Sequence, residues 1–372
     1  MLQLAQILDS KGFSITIIHT TFNSPNPSNY PHFSFSSIQD NLSETETSAS
    51  DLLNFIVALN VKCLVPFKEC VEKLLSDVSE EAVVSCFISD ALCYFTQAVA
   101  DNLQLPRIVL RTGGVSSFVA FAAFPMLRQK GYLPIQECKL EEPVEELPPL
   151  RVKDLPMIKT EEPEKYYELL HIFVKESKSS LGVIWNSFEE LESSALTTLS
   201  QEFSIPMFPI GPFHKYFPSS SSSCSSLISQ DRSCISWLDS HTPNSVMYVS
   251  FGSVAAITET NFLEIAWGLV NSRHPFLWVV RPGLIEGSKW LEPLPSGFME
   301  NLEEKGVDRK EIEKTIRRLM DDNFEGKEIR DRALKLKEEA KVCLKQDGSS
   351  CSSLEVLVAY ILSLESFAFE AS

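Results

Sequence analysis

Two stretches of this sequence hold residues whose types and spacing could do chemistry. The first is Cys86-Phe-Ile-Ser-Asp-Ala-Leu-Cys-Tyr-Phe95, where an apolar run ends at Asp90 and a helical pattern follows. A carboxylate placed there is an ionisable group at the carboxyl end of a strand, and an aspartate there also serves as a helix N-cap. The second is Ser245-Val-Met-Tyr-Val-Ser-Phe-Gly-Ser253, an apolar strand ending in a small polar turn. Gly252 lets the backbone come close to a ligand and Ser253 adds a hydroxyl donor. Open α/β sheets bind ligands at this end of their strands.

Other chemistries have less support. His19 ends a strand, His32 and His214 lie in loops, His171 is on a helix, and His241 and His274 stand beside strand starts; none is nominated as a base. Gly113-Gly114 lacks the spacing of a dinucleotide fingerprint, and no Asp-x-Asp pair occurs. The nine cysteines are scattered and form no CxxC pair, which gives zinc no support and fits reduced thiols in the cytoplasm. Formal charge is −17, which argues against nucleic acid or an anionic membrane as the main partner. An anionic ligand would have to be held by local backbone amides. The amino terminus is a poor signal peptide. The longest apolar stretch, Val115 to Leu127, is too short to span a bilayer.

These residues need a scaffold. At 372 residues, two domains are expected. Helix-period apolar residues in Met1–Lys11 precede a strand at Phe13–Thr20. Strands then alternate with helices through His32–Phe35, Val83–Ile88, Arg107–Leu110 and Gly182–Trp185. That alternation predicts a parallel, doubly wound sheet. A serine-rich run after Phe217 reads as a linker at 218–230, dividing a domain at 1–217 from one at 231–372. In the second domain a helix around Phe262–Val270 and a strand at Phe276–Val280 follow the Ser245 strand, and then only helices. Two strands make a poor core for such a domain.

The segments Ser236-Trp-Leu-Asp-Ser-His-Thr-Pro-Asn-Ser-Val-Met-Tyr-Val-Ser-Phe-Gly-Ser253, Gly182-Val-Ile-Trp-Asn-Ser-Phe-Glu-Glu-Leu-Glu192, Phe208-Pro-Ile-Gly-Pro212 and Phe276-Leu-Trp-Val-Val-Arg-Pro282 resemble plant family 1 UDP-glycosyltransferases, in the right order over almost the whole chain. Ser14–Thr20 and Ser28–Phe33 resemble the branch that acts on terpenoid, iridoid, cytokinin and flavonoid acceptors. The resemblance implies two facing Rossmann-like domains of the GT-B type, with the final helix packed back across the first. It also implies transfer of a sugar, by default glucose, from a UDP-sugar to a hydroxyl of a small apolar metabolite with inversion. UDP-sugar is a co-substrate; no metal or other cofactor is expected, and neither is stable membrane insertion. The expected protein is a cytoplasmic monomer.

Residue by residue, the resemblance makes Asp90 the orienter of a base histidine. It gives Gly252 and Ser253 contacts with the donor phosphates, and Cys93, Phe95, Thr112 and Phe118 places in the acceptor pocket. Trp278 and Arg281 are weaker donor-side candidates. Two family features are missing from the sequence. The strand and Gly-His loop carrying the base would stand ahead of Met1, and the nucleotide-sugar box would stand near 306/307, where the alternation fails. The chain therefore reads as a variant with an internal deletion, whether by deletion, mis-splicing or an incorrect gene structure. The alternative function is that of a non-catalytic protein keeping at most the acceptor pocket.

Overall fold

A computed structural model describes residues 1–22, 24–43, 46, 52–77, 84–156, 160, 162–217, 232–253, 255–281, 283–286, 307–321 and 323–370. The chain forms two compact units. The first comprises Met1–Ser43, Ile56–Leu227 and Glu338–Ser372; the second comprises Glu44–Phe55 and Ile228–Lys337. The serine-rich linker expected at 218–230 lies outside the described residues.

The first unit opens with α1 (Leu2–Asp9), β1 (Thr16–Thr20) and β2 (Ser34–Ile38). The long helix α2 (Leu52–Asp77) leads to β3 (Phe87–Asp90), α3 (Phe95–Leu103) and β4 (Arg107–Arg111). The apolar stretch from Val115, read as one helix, is two: α4 (Val115–Ala122) and α5 (Phe124–Gln129), with Pro125 in the first turn of α5. Proline lacks the N–H that would continue the ladder and is tolerated where a helix begins. Then come α6 (Pro163–Lys178), β5 (Val183–Trp185), α7 (Glu189–Glu202) and β6 (Met207–Pro209).

The strands of this unit pair in parallel in two ladders, β1 with β2, and β3-β4-β5-β6 in that order. Alternation along the central strands sorts their side chains. Ile108, Leu110, Ile184 and Phe208 share one cluster with Leu4, Ile7 and Leu8 of α1. Leu354, Leu357 and Ile361 of the last helix complete it. Val183 and Trp185 face the other way, onto Val115 and Phe118 of α4 and Leu199 of α7. The sheet thus has helices on both faces, as a doubly wound domain requires.

The second unit holds α8 (Ser233–Asp239), β7 (Met247–Ser250), α9 (Glu259–Ser272), β8 (Phe276–Val279) and α10 (Val307–Met320). The helix α11 (Phe324–Val342) follows, and α12 (Ser349–Glu370) ends the fold on the β6 side of the first unit's sheet. Among the described residues, β7 and β8 form a sheet of two strands. Met247, Val249, Phe276 and Trp278 alternate with Tyr248 and Val279, which are 64% and 46% exposed.

Candidate active site

Parallel register brings the first nominated residues together. Asp90 lies opposite Leu110, so Asp90, Arg111 and the exposed Thr112 stand at the carboxyl ends of neighbouring strands. Asp90 Oδ1 accepts the Leu92 N–H at 2.9 Å, closing a turn. It does not cap α3: the Phe95 N–H is taken by Asn60 Oδ1 of α2 at 3.0 Å, while Asn60 Nδ2 donates to the Leu92 carbonyl at 2.8 Å. Asp90 is therefore free of the capping duty its position suggested. The amino end of α1 and the Arg111 guanidinium lie within its electrostatic reach. Among the described residues no histidine is bonded to it.

The four nominated acceptor residues separate. Thr112 is exposed and Cys93 is half-buried. Burial, reinforced by the charge of Asp90, pushes the Cys93 thiol up to about 12. Phe95 is buried in the cluster of Ile38, Cys63, Phe67 and Val99, edge-on to Phe67. Phe118 is also buried, edge-on to Trp185 and Phe203, with the Arg111 guanidinium 4.0 Å over its ring. Two of the four thus lie in core layers.

A pocket of about 440 Å³ opens between α4, α5 and α6 instead. Phe121, Phe124, Tyr167 and Val174 give it an apolar lining, and Arg128 and His171 add polar groups. Arg128 donates to both oxygens of Glu164 and stacks 4.8 Å over the Tyr167 ring. Apolar walls with a few fixed polar groups suit a small amphipathic ligand. Tyr94, just ahead of α3, meets Phe173 of α6 edge-on at 6.1 Å, tying this wall to the strand ends. None of the pocket's eleven lining residues is among those nominated from the sequence.

The loop carrying Thr112 is held from a distance. Glu192, at a non-helical kink in α7, accepts the N–H groups of Val115 and Ser116 at 3.0 and 2.9 Å and the Ser187 hydroxyl at 2.6 Å. It satisfies the open amino end of α4. Burial alone would raise the Glu192 carboxyl, but these hydrogen bonds outweigh it and hold it below the usual range.

In the second unit, Gly252 and Ser253 are exposed in the turn after β7. Gly252 has φ +70°, the left-handed region that glycine adopts without strain. Arg281 straps the turn, donating from Nε to the Gly252 carbonyl at 2.9 Å and from Nη2 to the Ala255 carbonyl. Trp278 stacks on Phe262 of α9, with centroids 4.8 Å apart, as a core ring does. Among the described residues no group of His, Cys, Asp and Glu could hold a metal.

No protein-family profile matches the chain. Among curated proteins it is 45% identical to UDP-glycosyltransferase 76B1 of Arabidopsis thaliana, over 98% of this chain and 95% of that one. It is 40% identical to UDP-glycosyltransferase 76G1 of Stevia rebaudiana, over 98% and 94%. The chain belongs to the plant UDP-glycosyltransferases. Solved members share its fold: Phytolacca americana UGT2 aligns with TM-score 0.70 at 20% identity, over 97% of this chain and 96% of that one. UGT73P12 of Glycyrrhiza uralensis aligns with TM-score 0.74 at 18% identity, over 100% and 94%. The GT-B architecture follows. The alignment with the Arabidopsis glycosyltransferase runs over 431 positions against 372 residues here. At least 59 positions of the relative therefore have no counterpart in this chain.

Proposed function

We propose that the first unit holds the acceptor half of a UDP-sugar-dependent glycosyltransferase, and that the second unit is an internally shortened donor half. The reaction inherited from the family is inverting transfer of a sugar, by default glucose, to a hydroxyl of a small apolar plant metabolite. In it a base takes the hydroxyl proton while aligned donors stabilise the departing diphosphate. Asp90 would orient that base. The pocket between α4, α5 and α6 would seat the acceptor, with Thr112 at its strand-end side. Gly252 and Ser253, strapped by Arg281, would approach the diphosphate.

The observation that carries the shortened-donor reading is the narrow second sheet, which among the described residues has two parallel strands with Tyr248 and Val279 open to solvent. The 59 or more skipped positions support it. A 40% identical relative from Solanum lycopersicum aligns over 309 positions and 82% of this chain, so almost without gaps. Any such window of about 305 residues includes 68–305, which supports a missing stretch outside them. The junction we propose is 306/307. Gly306 lies outside the described residues, and Val307 opens α10. We therefore propose that sugar transfer by this chain is weak or absent while acceptor binding persists.

No described helix is long and apolar enough to cross a membrane, and a cytoplasmic monomer is the state we propose. The test is calorimetric titration of the purified chain with UDP-glucose, alongside an acceptor panel with product detection. Acceptor binding without UDP-glucose binding is the expected result. Saturable UDP-glucose binding with glycoside formation would overturn the shortened-donor reading.

A further inference from the structure

Two arginines on one face of β4 are treated in opposite ways. Arg107 is 2% exposed and makes four side-chain hydrogen bonds. Its Nε donates to Ser89 Oγ at 3.0 Å and Thr96 Oγ1 at 2.9 Å, and its Nη1 to Gln97 Oε1 at 2.7 Å and the Glu176 carbonyl at 3.1 Å. Arg111, four residues on, points the same way because side chains alternate along a strand. It has one hydrogen bond, a 3.4 Å contact from Nη1 to Ser177 Oγ, and otherwise lies over the rings of Phe118 at 4.0 Å and Trp185 at 5.8 Å. Asp90 is within electrostatic reach but no ion pair joins them.

A guanidinium has five N–H donors in a planar fork that fits a carboxylate. Holding that charge among aromatic rings without an anion is costly, and stacking offsets only part of the cost. Trp185, the residue directly across the ladder from Arg111, has a buried indole N–H with no acceptor. The chain gives the arginine at the amino end of β4 four hydrogen bonds and the one at the carboxyl end a single long one, at the end of the strand where open α/β sheets bind ligands. Phe118 and Ser177, which flank Arg111, lie one helical turn from Phe121 and Val174 of the pocket wall on the same two helices.

We infer that Arg111 is a specificity-determining residue, selecting acceptors that carry a carboxylate as well as the hydroxyl to be glycosylated. The inference rests on the acceptor half proposed above and deepens it. The acceptor's carboxylate pairs with the guanidinium fork at the strand ends, and its apolar body lies against Phe121 and Phe124. At neutral pH the guanidinium is charged although burial draws it down to about 10, so the selection is for the ionised acid.

The test is calorimetry with 4-hydroxybenzoate and 4-hydroxycinnamate against their methyl esters, on the full chain and on Arg111→Gln and Arg111→Lys. The expected result is at least tenfold tighter binding of the acids by the wild type. Arg111→Gln abolishes that preference without weakening the esters, and Arg111→Lys keeps part of it. Binding of the esters serves as the folding check on each variant. In addition, titration of the wild type from pH 6 down to 3.5 should weaken acid binding and leave ester binding unchanged. Equal binding of acids and esters by the wild type overturns the role of Arg111 and leaves the acceptor half standing. Binding of neither class overturns both.

Discussion

Glu192 and Ser116 are 76 residues apart in sequence and bonded at 2.9 Å, carboxylate to backbone N–H. With the Val115 N–H and the Ser187 hydroxyl, this makes Glu192 the anion that closes the amino end of α4 and fixes the loop carrying Thr112. Replacing it by Ala leaves helix-end N–H groups unsatisfied, and hydrogen bonds to charged groups are worth about 1.5–3 kcal/mol. Glu192→Ala should lower unfolding stability at pH 7 by roughly 2 kcal/mol in urea titrations. Because the folded carboxyl lies below its unfolded range near about 4.3, this stabilisation is complete above that value and fades as the pH falls through the folded pKa. The difference between wild type and Glu192→Gln should therefore narrow on acidification. A gap independent of pH would show that the charge of Glu192 has no part in it.

That contact also marks where sequence reading stops. Runs of β-branched and apolar residues such as Arg107–Leu110 and Phe276–Val279 are legible because burial on both faces leaves a local signature. The break between α4 and α5 at Ala123 was not anticipated, although Pro125 signals a helix start. The strand β6 has three residues, one a proline, too short to register against its surroundings. Asp90 and Thr112 stand at the carboxyl ends of their strands, a position that follows from strand order. Phe95 and Phe118 fell in core layers because apolar periodicity marks a buried face without saying whether protein or ligand covers it. The pocket needs α4, α5 and α6 together, and no local pattern encodes that meeting.

The separation of core from pocket gives a second prediction. Phe95→Ala should destabilise the fold by about 3–5 kcal/mol, the range for a fully buried aromatic. Phe121→Ala should cost less, about 1–2 kcal/mol, because the residue is half-buried between the Val115 cluster and the open pocket, and should weaken acceptor binding tenfold or more. Thermal melts and acceptor titrations of the two variants separate these effects. If Phe121→Ala leaves acceptor affinity intact, the acceptor lies elsewhere.

Thiol reactivity supplies a third. Burial pushes Cys93 up to about 12 and, with the charge of Asp40, Cys63 up to about 11, whereas Cys138 is exposed. At pH 8 a thiol near 12 has a thiolate fraction on the order of 10³-fold below that of an ordinary thiol near 8.5. Iodoacetamide labelling of the native chain followed by peptide mass mapping should mark Cys138 within minutes and leave Cys63 and Cys93 unmarked until denaturant is added. Early modification of Cys93 would mean that the turn after Asp90 opens readily.

The last helix is the fourth point of test, because it closes one face of the first unit's sheet. Leu357 is fully buried in the cluster shared by α1, β4, β5 and β6. The helix start is pinned where Ser350 donates to the Gly211 carbonyl at 2.6 Å. A leucine removed from such a site leaves a cavity, and Leu357→Ala should cost about 3–4 kcal/mol. Ser350→Ala should cost about 1 kcal/mol, the usual value of one neutral hydrogen bond. The exposed Val356, the residue just before Leu357 on the opposite side of the helix from the core, changed to Ala, serves as the control and should move the midpoint little. These residues follow the second unit in the chain yet belong to the first. The first unit's stability thus depends on the polypeptide continuing through the second unit to α12. A chain ended after Phe217 should therefore expose the α12-facing apolar surface and bind a hydrophobic dye, and a soluble, dye-free product would show that the sheet stands without its last helix.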